Sequence, residues 1–196
     1  MIEVKRQTKE TDITLRLSES SLSSLNQINT KRMFLDDKLG FFEHMLKALT
    51  YYADLELSLS CASDVWVDTH HTLEDIGIVF GQAVKQLMSS KTGFERFGLA
   101  FVPMDDALVR TVIDISGRPY FTLEGFDLTY LPESEQALIE FLRAFSHYAG
   151  LTVHIDIIRG KNRHHIYEAV FKSFGQALKC GMKVKEDVIS TKGCLA

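Results

Sequence analysis

Apolar and polar residues alternate at Ile2 and Val4 and again at Ile13, Leu15 and Leu17, which predicts two strands, residues 2 to 7 and 11 to 17, flanking Thr8-Lys9-Glu10. The alternation then stops. Ser18 to Lys38, holding Ser18, Ser20, Ser21, Ser23 and Ser24, reads as a long polar connection with room for some helix. From Gly40 to Ala53 the apolar residues change to helical spacing, Leu55 to Leu59 alternates as a strand, and Val65 to Val67 reads as a short strand ending at Asp68-Thr69. Asp68 or Thr69 can cap the helix that follows, which runs to about Met88. Further along, Leu99 to Val102 and Leu108 to Ile115 read as strands. Tyr120 to Leu123 is a third, after the turn Ser116-Gly117-Arg118-Pro119. A helix begins near Ser134, a strand covers Leu151 to Ile158, and Gly160-Lys161-Asn162 turns the chain into the last helix. From Met182 onward no period is evident.

The same order of elements therefore occurs twice, and residues repeat with it. His70-His71-Thr72-Leu73-Glu74 returns 94 residues later as His164-His165-Ile166-Tyr167-Glu168. Glu43-His44-Met45-Leu46 matches Ile139-Glu140-Phe141-Leu142, and Phe80-Gly81-Gln82-Ala83 matches Phe174-Gly175-Gln176-Ala177. The distance from His44 to His70 is 26 residues and from Glu140 to His164 is 24, so a two-residue loop difference separates the halves and His44 and Glu140 are counterparts. Two copies of about 90 residues fit a domain with internal pseudo-symmetry better than a solenoid. The expected fold is α+β: an internally duplicated half, an antiparallel sheet packed on a helix pair, with the two halves joined through their helices so that all four are buried. One domain is expected over residues 1–196, with pseudo-repeats of about 1–93 and 94–181 and a C-terminal tail of 182–196.

Composition narrows the possible functions. The chain has 196 residues, an apolar fraction of 45% and a net charge of -4, which favours one shared core and disfavours disorder or a nucleic-acid partner. No apolar run approaches the roughly 20 residues of a membrane span, and Met1-Ile2-Glu3-Val4-Lys5 has no signal-peptide pattern, so no membrane partner is expected and the cytoplasm is the default. Cys61, Cys180 and Cys194 are odd in number and lack CxxC spacing, which points to reduced thiols.

Five of the seven histidines belong to the repeat. On a helix Glu74 shares a face with His70 or His71, whereas adjacent histidines point about 100 degrees apart and should serve different ions. Two HHxxE copies plus His44 and Glu140 offer five imidazoles and three carboxylates. That mixture is too rich for one tetrahedral zinc and suits a two-metal site of Mn2+, or Fe2+ or Co2+, near six-coordination. A single HHxxE is as readily the padded start of a helix; duplication in register, with the desolvation cost of so many ionisable groups, favours metal. His147 and His154 fall outside the pattern and read as structural. Glu10 and Asp106 occupy matching places between strands, and each is a candidate acid or base or an ordinary surface carboxylate. Arg96, Arg118, Lys172, Ser190 and Lys192 are scattered singly, but Ser190-Thr191-Lys192-Gly193 could supply donors to a phosphate.

Taken together, Thr8-Lys9-Glu10-Thr11, Gly40-Phe41-Phe42-Glu43-His44, Asp68-Thr69-His70-His71-Thr72-Leu73-Glu74-Asp75, Pro103-Met104-Asp105-Asp106-Ala107-Leu108, Asp114-Ile115-Ser116-Gly117-Arg118-Pro119, Gly160-Lys161-Asn162-Arg163-His164-His165 and Ser190-Thr191-Lys192-Gly193 resemble, in order, the imidazoleglycerol-phosphate dehydratase family of histidine biosynthesis. The resemblance covers nearly the whole chain. It implies a metal-dependent hydro-lyase acting on a small phosphorylated imidazole substrate, with a dimanganese centre built across subunits of a homo-oligomer, trimers assembled into a 24-subunit shell. By the same resemblance the metal ligands are His44, His70, His71, Glu74, His164, His165 and Glu168. Arg96, Arg118, Lys172, Ser190 and Lys192 hold the phosphate. Glu10 is the acid/base residue, with a ligand histidine, His71 or His165, helping the hydroxyl to leave. The chain departs from the pattern at Glu140, where plant members carry a further histidine ligand, at Glu43 in place of an aspartate, at Tyr52 in place of a histidine, and in the longer Ser18 to Lys38 link. A metal-storing shell would use the same histidines without a phosphate pocket, and a dimetal hydrolase would use a bridging water. Arg96 and Lys192 discriminate, since only a phosphate site gives them work.

Overall fold

The computed structural model describes residues 1–20, 33–125 and 131–186. In order come β1 (Ile2–Gln7), β2 (Thr11–Glu19), β3 (Met33–Phe34), α1 (Gly40–Tyr52), β4 (Leu55–Ser63), α2 (His70–Ser89), β5 (Phe97–Met104), β6 (Ala107–Asp114), β7 (Tyr120–Glu124), α3 (Glu133–Ala149), β8 (Thr152–Arg159) and α4 (Arg163–Met182). Two four-stranded sheets have the same order, β1-β2-β4-β3 and β5-β6-β8-β7. Each is antiparallel except for one pair: β3 runs parallel to β4, and β7 to β8. The expected antiparallel pairing holds for the other pairs, and the parallel pair in each sheet is the one whose strands are joined by a crossover helix, α1 or α3.

Alternation decides which face of each sheet is inside. Along β2, Thr11, Ile13, Leu15 and Leu17 are buried while Asp12 and Arg16 face out. The helices α1 and α2 lie on the first sheet and α3 and α4 on the second, and across the middle α2 packs on α3 and α1 on α4. The result is four layers, sheet, helices, helices, sheet, and one hydrophobic cluster runs through both halves. Phe80, Phe141, Phe145, Phe171 and Phe174 fill its centre, with Phe80 edge-on to Phe145 at 4.9 Å. Each such ring contributes about 1.5–3 kcal/mol by its burial.

The matching glycines of the two halves make the cross-packing possible. A Cβ on Gly81 of α2 would lie 2.5 Å from Phe145 O of α3, and one on Gly175 of α4 would lie 2.3 Å from Leu49 O of α1. Only glycine lets those backbones approach so closely. This places the start of α4 beside the exposed face of α1, and the start of α2 beside α3.

Two local expectations differ from the structure. Val65 to Val67 is a turn rather than a strand, closed by Val67 N donating to Asp64 O at 2.9 Å. Val65 is buried while Trp66 and Val67 point outward, so the apolar run mimics a strand without a neighbour to pair with. Within Ser18 to Lys38, β2 continues to Glu19, β3 follows at Met33–Phe34, and a single 3-10 turn covers Asp37–Leu39; positions 21–32 lie outside the described residues.

Candidate metal centre

Three of the predicted ligands meet. His44 from near the start of α1 and His164 and Glu168 from the first turns of α4 bring one nitrogen or oxygen each within 4.8 Å of one another. Glu168 Oε2 lies 3.2 Å from His164 Nε2 and 3.7 Å from His44 Nε2. The two imidazoles are exposed, whereas Glu168 is only 8% exposed. Leaving that carboxylate charged in a buried position is costly without a counter-charge, and Lys172, one turn further along α4, supplies one at 2.7 Å from Oε1. Burial pushes the Glu168 carboxyl up, but Lys172 first, and then His44 and His164, outweigh it and hold it below the usual range. Phe41 packs against the His164 ring at 5.3 Å, and Tyr52 lies 5.7 Å from Lys172 Nζ.

Pseudo-symmetry puts Glu140 of α3 and His70 and Glu74 of α2 on the equivalent pair of packed helices. No second cluster of that tightness forms among the described residues; Glu140 lies 3.5 Å from Arg143, and Glu74 is exposed. The remaining histidines of the motif are held by aspartates instead. His71 Nδ1 lies 3.0 Å from Asp68 and its Nε2 2.6 Å from Asp64, while His165 Nδ1 lies 2.7 Å from Asp106 and its Nε2 3.4 Å from Asp105. Burial opposes a charged His71, but the hydrogen bonds to Asp64 and Asp68 prevail and raise its pKa. Asp106, bonded by His165 and by the backbone N–H groups of Lys161 and Asn162, is held far below the usual carboxylate range. The helix starts match as well: Asp68 Oδ1 accepts from His70 N and Asn162 Oδ1 from His164 N, both at 2.9 Å, so of the two candidate caps Asp68 caps α2 and Thr69 does not.

Asp106 and Glu10 thus part company. Asp106 is consumed in holding His165, while Glu10 sits exposed in the β1–β2 turn with its N–H on Thr8 Oγ1. Arg96 makes a two-pronged contact with Asp114 at 2.7 and 3.1 Å, and Arg118 reaches the same carboxylate at 4.0 Å. Asp114 raises the pKa of Arg96 and gathers the two guanidinium groups in one place. Lys172 is elsewhere: Arg96 N binds Gly181 O, nine residues beyond Lys172 on α4, or about 13 Å along the helix axis. Ser190 and Lys192 lie outside the described residues. His147 and His154 are exposed beside Tyr148 and Tyr120. Sequence reasoning missed Asp64, Asp105 and Asp114 and saw Asp68 only as a cap; the spacing of Asp68 three residues before His71 was the available signal.

A duplicated α+β scaffold brings two imidazoles and a buried carboxylate together on facing helices, the donor set of a candidate metal centre, and gathers two arginines at a second point. Residues 38–178 match the family model described as imidazoleglycerol-phosphate dehydratase. The imidazoleglycerol-phosphate dehydratase of Staphylococcus epidermidis is 43% identical over 197 residues, covering 98% of each chain, and that of Desulfitobacterium hafniense is 43% identical over 202 residues, covering 98% of this chain and 96% of its own. Among solved structures, the enzyme of Staphylococcus aureus superposes with a TM-score of 0.75 at 34% identity, covering 94% of this chain and 100% of that one. IGPD from Pyrococcus furiosus, in complex with (S)-C348, gives 0.80 at 36% identity, covering 98% and 100%. The chain belongs to the imidazoleglycerol-phosphate dehydratase family: it is a hydro-lyase, a dehydratase of histidine biosynthesis. No helix among the described residues is long and apolar enough to cross a membrane.

Proposed function

We propose that this chain dehydrates imidazole glycerol phosphate to imidazole acetol phosphate and water, in the cytoplasm, with two Mn2+ ions in each active site. The observation that carries this reading is the trio His44, His164 and Glu168, a buried carboxylate between two exposed imidazoles. Nitrogen and hard oxygen donors in that ratio suit Mn2+. His70, His71, Glu74, Glu140 and His165 complete the proposed ligand set. When bound, the cations would stabilise charge on the substrate's imidazole, so that the ring can help expel the hydroxyl from the carbon attached to it and leave the hydrogen on the next carbon acidic.

The protein's own groups have separate tasks. The reaction removes one hydrogen from carbon as a proton and the neighbouring hydroxyl as water, and the resulting enol becomes the ketone by tautomerisation. Glu10 takes the proton, for which an exposed carboxylate at the tip of a hairpin is suited. The departing hydroxyl takes a proton from His71 or His165 and leaves as water, and in the tautomerisation carbon regains a proton from Glu10 while the enol O–H returns one to the histidine. Arg96, Arg118, Lys172, Ser190 and Lys192 hold the phosphate, and the convergence of two guanidinium groups at Asp114 supports an anion site there. Because Arg96 and Lys172 are well apart on one chain, a single phosphate would draw them from different subunits, in keeping with a homo-oligomer of 24 subunits built from trimers. The outward row Phe97, Leu99 and Phe101 of β5, each more than half exposed where β1 presents Glu3, Lys5 and Gln7, also favours assembly.

The test is dehydration of imidazole glycerol phosphate by metal-stripped protein with Mn2+, Zn2+ or nothing restored. Mn2+ should restore turnover. Glu10→Gln should retain its metal and lose at least about 100-fold in kcat. Full turnover without metal, or by Glu10→Gln, refutes the corresponding part of the proposal.

A further inference from the structure

The turn between β1 and β2 and the turn between β5 and β6 are equivalent, yet they are fastened by different means. In the second half Asp106 is itself the fastening. Its Oδ2 accepts from Lys161 N and Asn162 N at 2.6 and 3.1 Å, and its Oδ1 lies 2.7 Å from His165 Nδ1. In the first half Glu10 stands in that place, and the task passes to its neighbours. Thr11 Oγ1 donates to Asp75 Oδ2 at 2.6 Å, and Asp75 Oδ1 accepts from Arg6 Nε at 2.9 Å. Thr8 and Thr11 hydroxyls are 3.0 Å apart, and Thr8 Oγ1 accepts from Glu10 N at 3.1 Å and from Thr11 N at 2.9 Å.

The direction of this chain is fixed by its end. An ionised carboxylate only accepts, so the Thr11 proton points to Asp75, the Thr8 proton must then point to Thr11, and the lone pairs of Thr8 are left for the two backbone N–H groups. Asp75 and Thr11 are buried, and Asp75 directly follows Glu74 on α2. The fold does not demand the arrangement. In the second half the first inward residue of β6 is Ala107 and the counterpart of Asp75 is Ala169, and that half folds without them. The relay exists only where the turn carries Glu10.

We propose that Thr11 and Asp75 are positioning residues for Glu10, tying its backbone to the helix start that bears His70, His71 and Glu74. The proposal rests on Glu10 being the acid/base group. Freed from fastening duty, the Glu10 carboxylate is available for proton transfer, while Thr8, Thr11 and Asp75 keep its backbone from drifting.

Thr11→Val keeps the shape and removes the donor. In the assembled, Mn2+-loaded enzyme it should lower kcat by about 10- to 100-fold, the scale of a displacement near 1 Å, while KM and bound metal stay at wild-type values. Thr8→Val, at an exposed turn position that the core does not need, should act in the same direction, and Thr11→Ser should restore most of the rate. Independently of turnover, backbone amide exchange at Glu10 should speed up about fivefold in Thr8→Val, which removes the hydroxyl that accepts from Glu10 N, as loss of a hydrogen bond worth about 1 kcal/mol requires. Wild-type kcat in both valine variants, faster exchange with unchanged kcat, or a loss that Thr11→Ser does not repair overturns the proposal. If Glu10→Gln itself turns over normally, the acid/base reading fails first; if Glu10→Gln is inactive and the valine variants are not, only the tether fails.

Discussion

Gly175→Ala tests whether the close approach of α4 to α1 builds the metal centre. The added Cβ would sit 2.3 Å from Leu49 O and 3.2 Å from Ala53 N, both backbone atoms of α1, where ordinary contact begins at 3.4 Å. Neither atom can swing aside as a side-chain tip would, so α1 must retreat by about 1 Å. Overpacking of this kind costs about 3 kcal/mol at the upper end of its usual range, offset by about 1 kcal/mol for replacing glycine inside a helix. A net loss of about 2 kcal/mol in a chain of this length should lower Tm by about 4–8 °C. The same retreat carries His44 away from His164 and Glu168 by several times the roughly 0.2 Å tolerance of a metal site, so Mn2+ affinity should fall as well. Calorimetry of the metal-free chain reads the first effect and Mn2+ titration the second. Gly81→Ala would press in the same way on Phe145 O and Ala149 N of α3 at 2.5 and 2.9 Å, leaving the trio in place and acting instead on the proposed ligands Glu140, His70 and Glu74. A wild-type Tm in Gly175→Ala would mean that the helices separate freely. Wild-type Mn2+ affinity in Gly175→Ala would mean that helix spacing does not act through His44.

Removing the aspartate behind His165 should loosen metal without abolishing folding: Asp106→Ala is expected to weaken Mn2+ binding about 10- to 100-fold by titration, and unchanged affinity would show that His165 needs no support. Two pH limbs should appear in urea midpoints of the metal-free chain. The folded pKa of His71 is raised, so its contribution is full below 6.5 and is lost as pH rises through the higher folded value; His71→Gln should flatten that limb. Asp68, Asp106 and Glu168 have lowered values, so their contributions are present at neutral pH and are lost as pH falls below about 4. Midpoints that do not fall on either side would contradict both assignments.

Much of this was legible in the chain because the repeat constrains two halves at once. The match of Phe80-Gly81 to Phe174-Gly175 anticipated equivalent helices, and their glycines turned out to meet equivalent backbone atoms of α3 and α1. That His164 and Glu168 share a helix face followed from the pattern, but that His44 of the other half meets them did not. What stayed hidden depended on contacts between distant segments. The aspartates that hold His71 and His165 come from loops whose path no periodicity reveals, and Asp114 gathers Arg96 and Arg118 only after β5 and β6 pair. Val65 to Val67 misled because an apolar triplet is a strand only beside another strand. Glu10 and Asp106 looked alike in sequence, and only the hydrogen bonds of Asp106 separate them.

Lys172 gives Glu168 a resident cation from its own helix. With its ammonium against Glu168, the burial of that carboxylate is compensated before any ion arrives. Under the proposed function, an incoming divalent ion would displace a tethered monovalent one rather than fill a void, which would make loading an exchange reaction and free the ammonium for an anion.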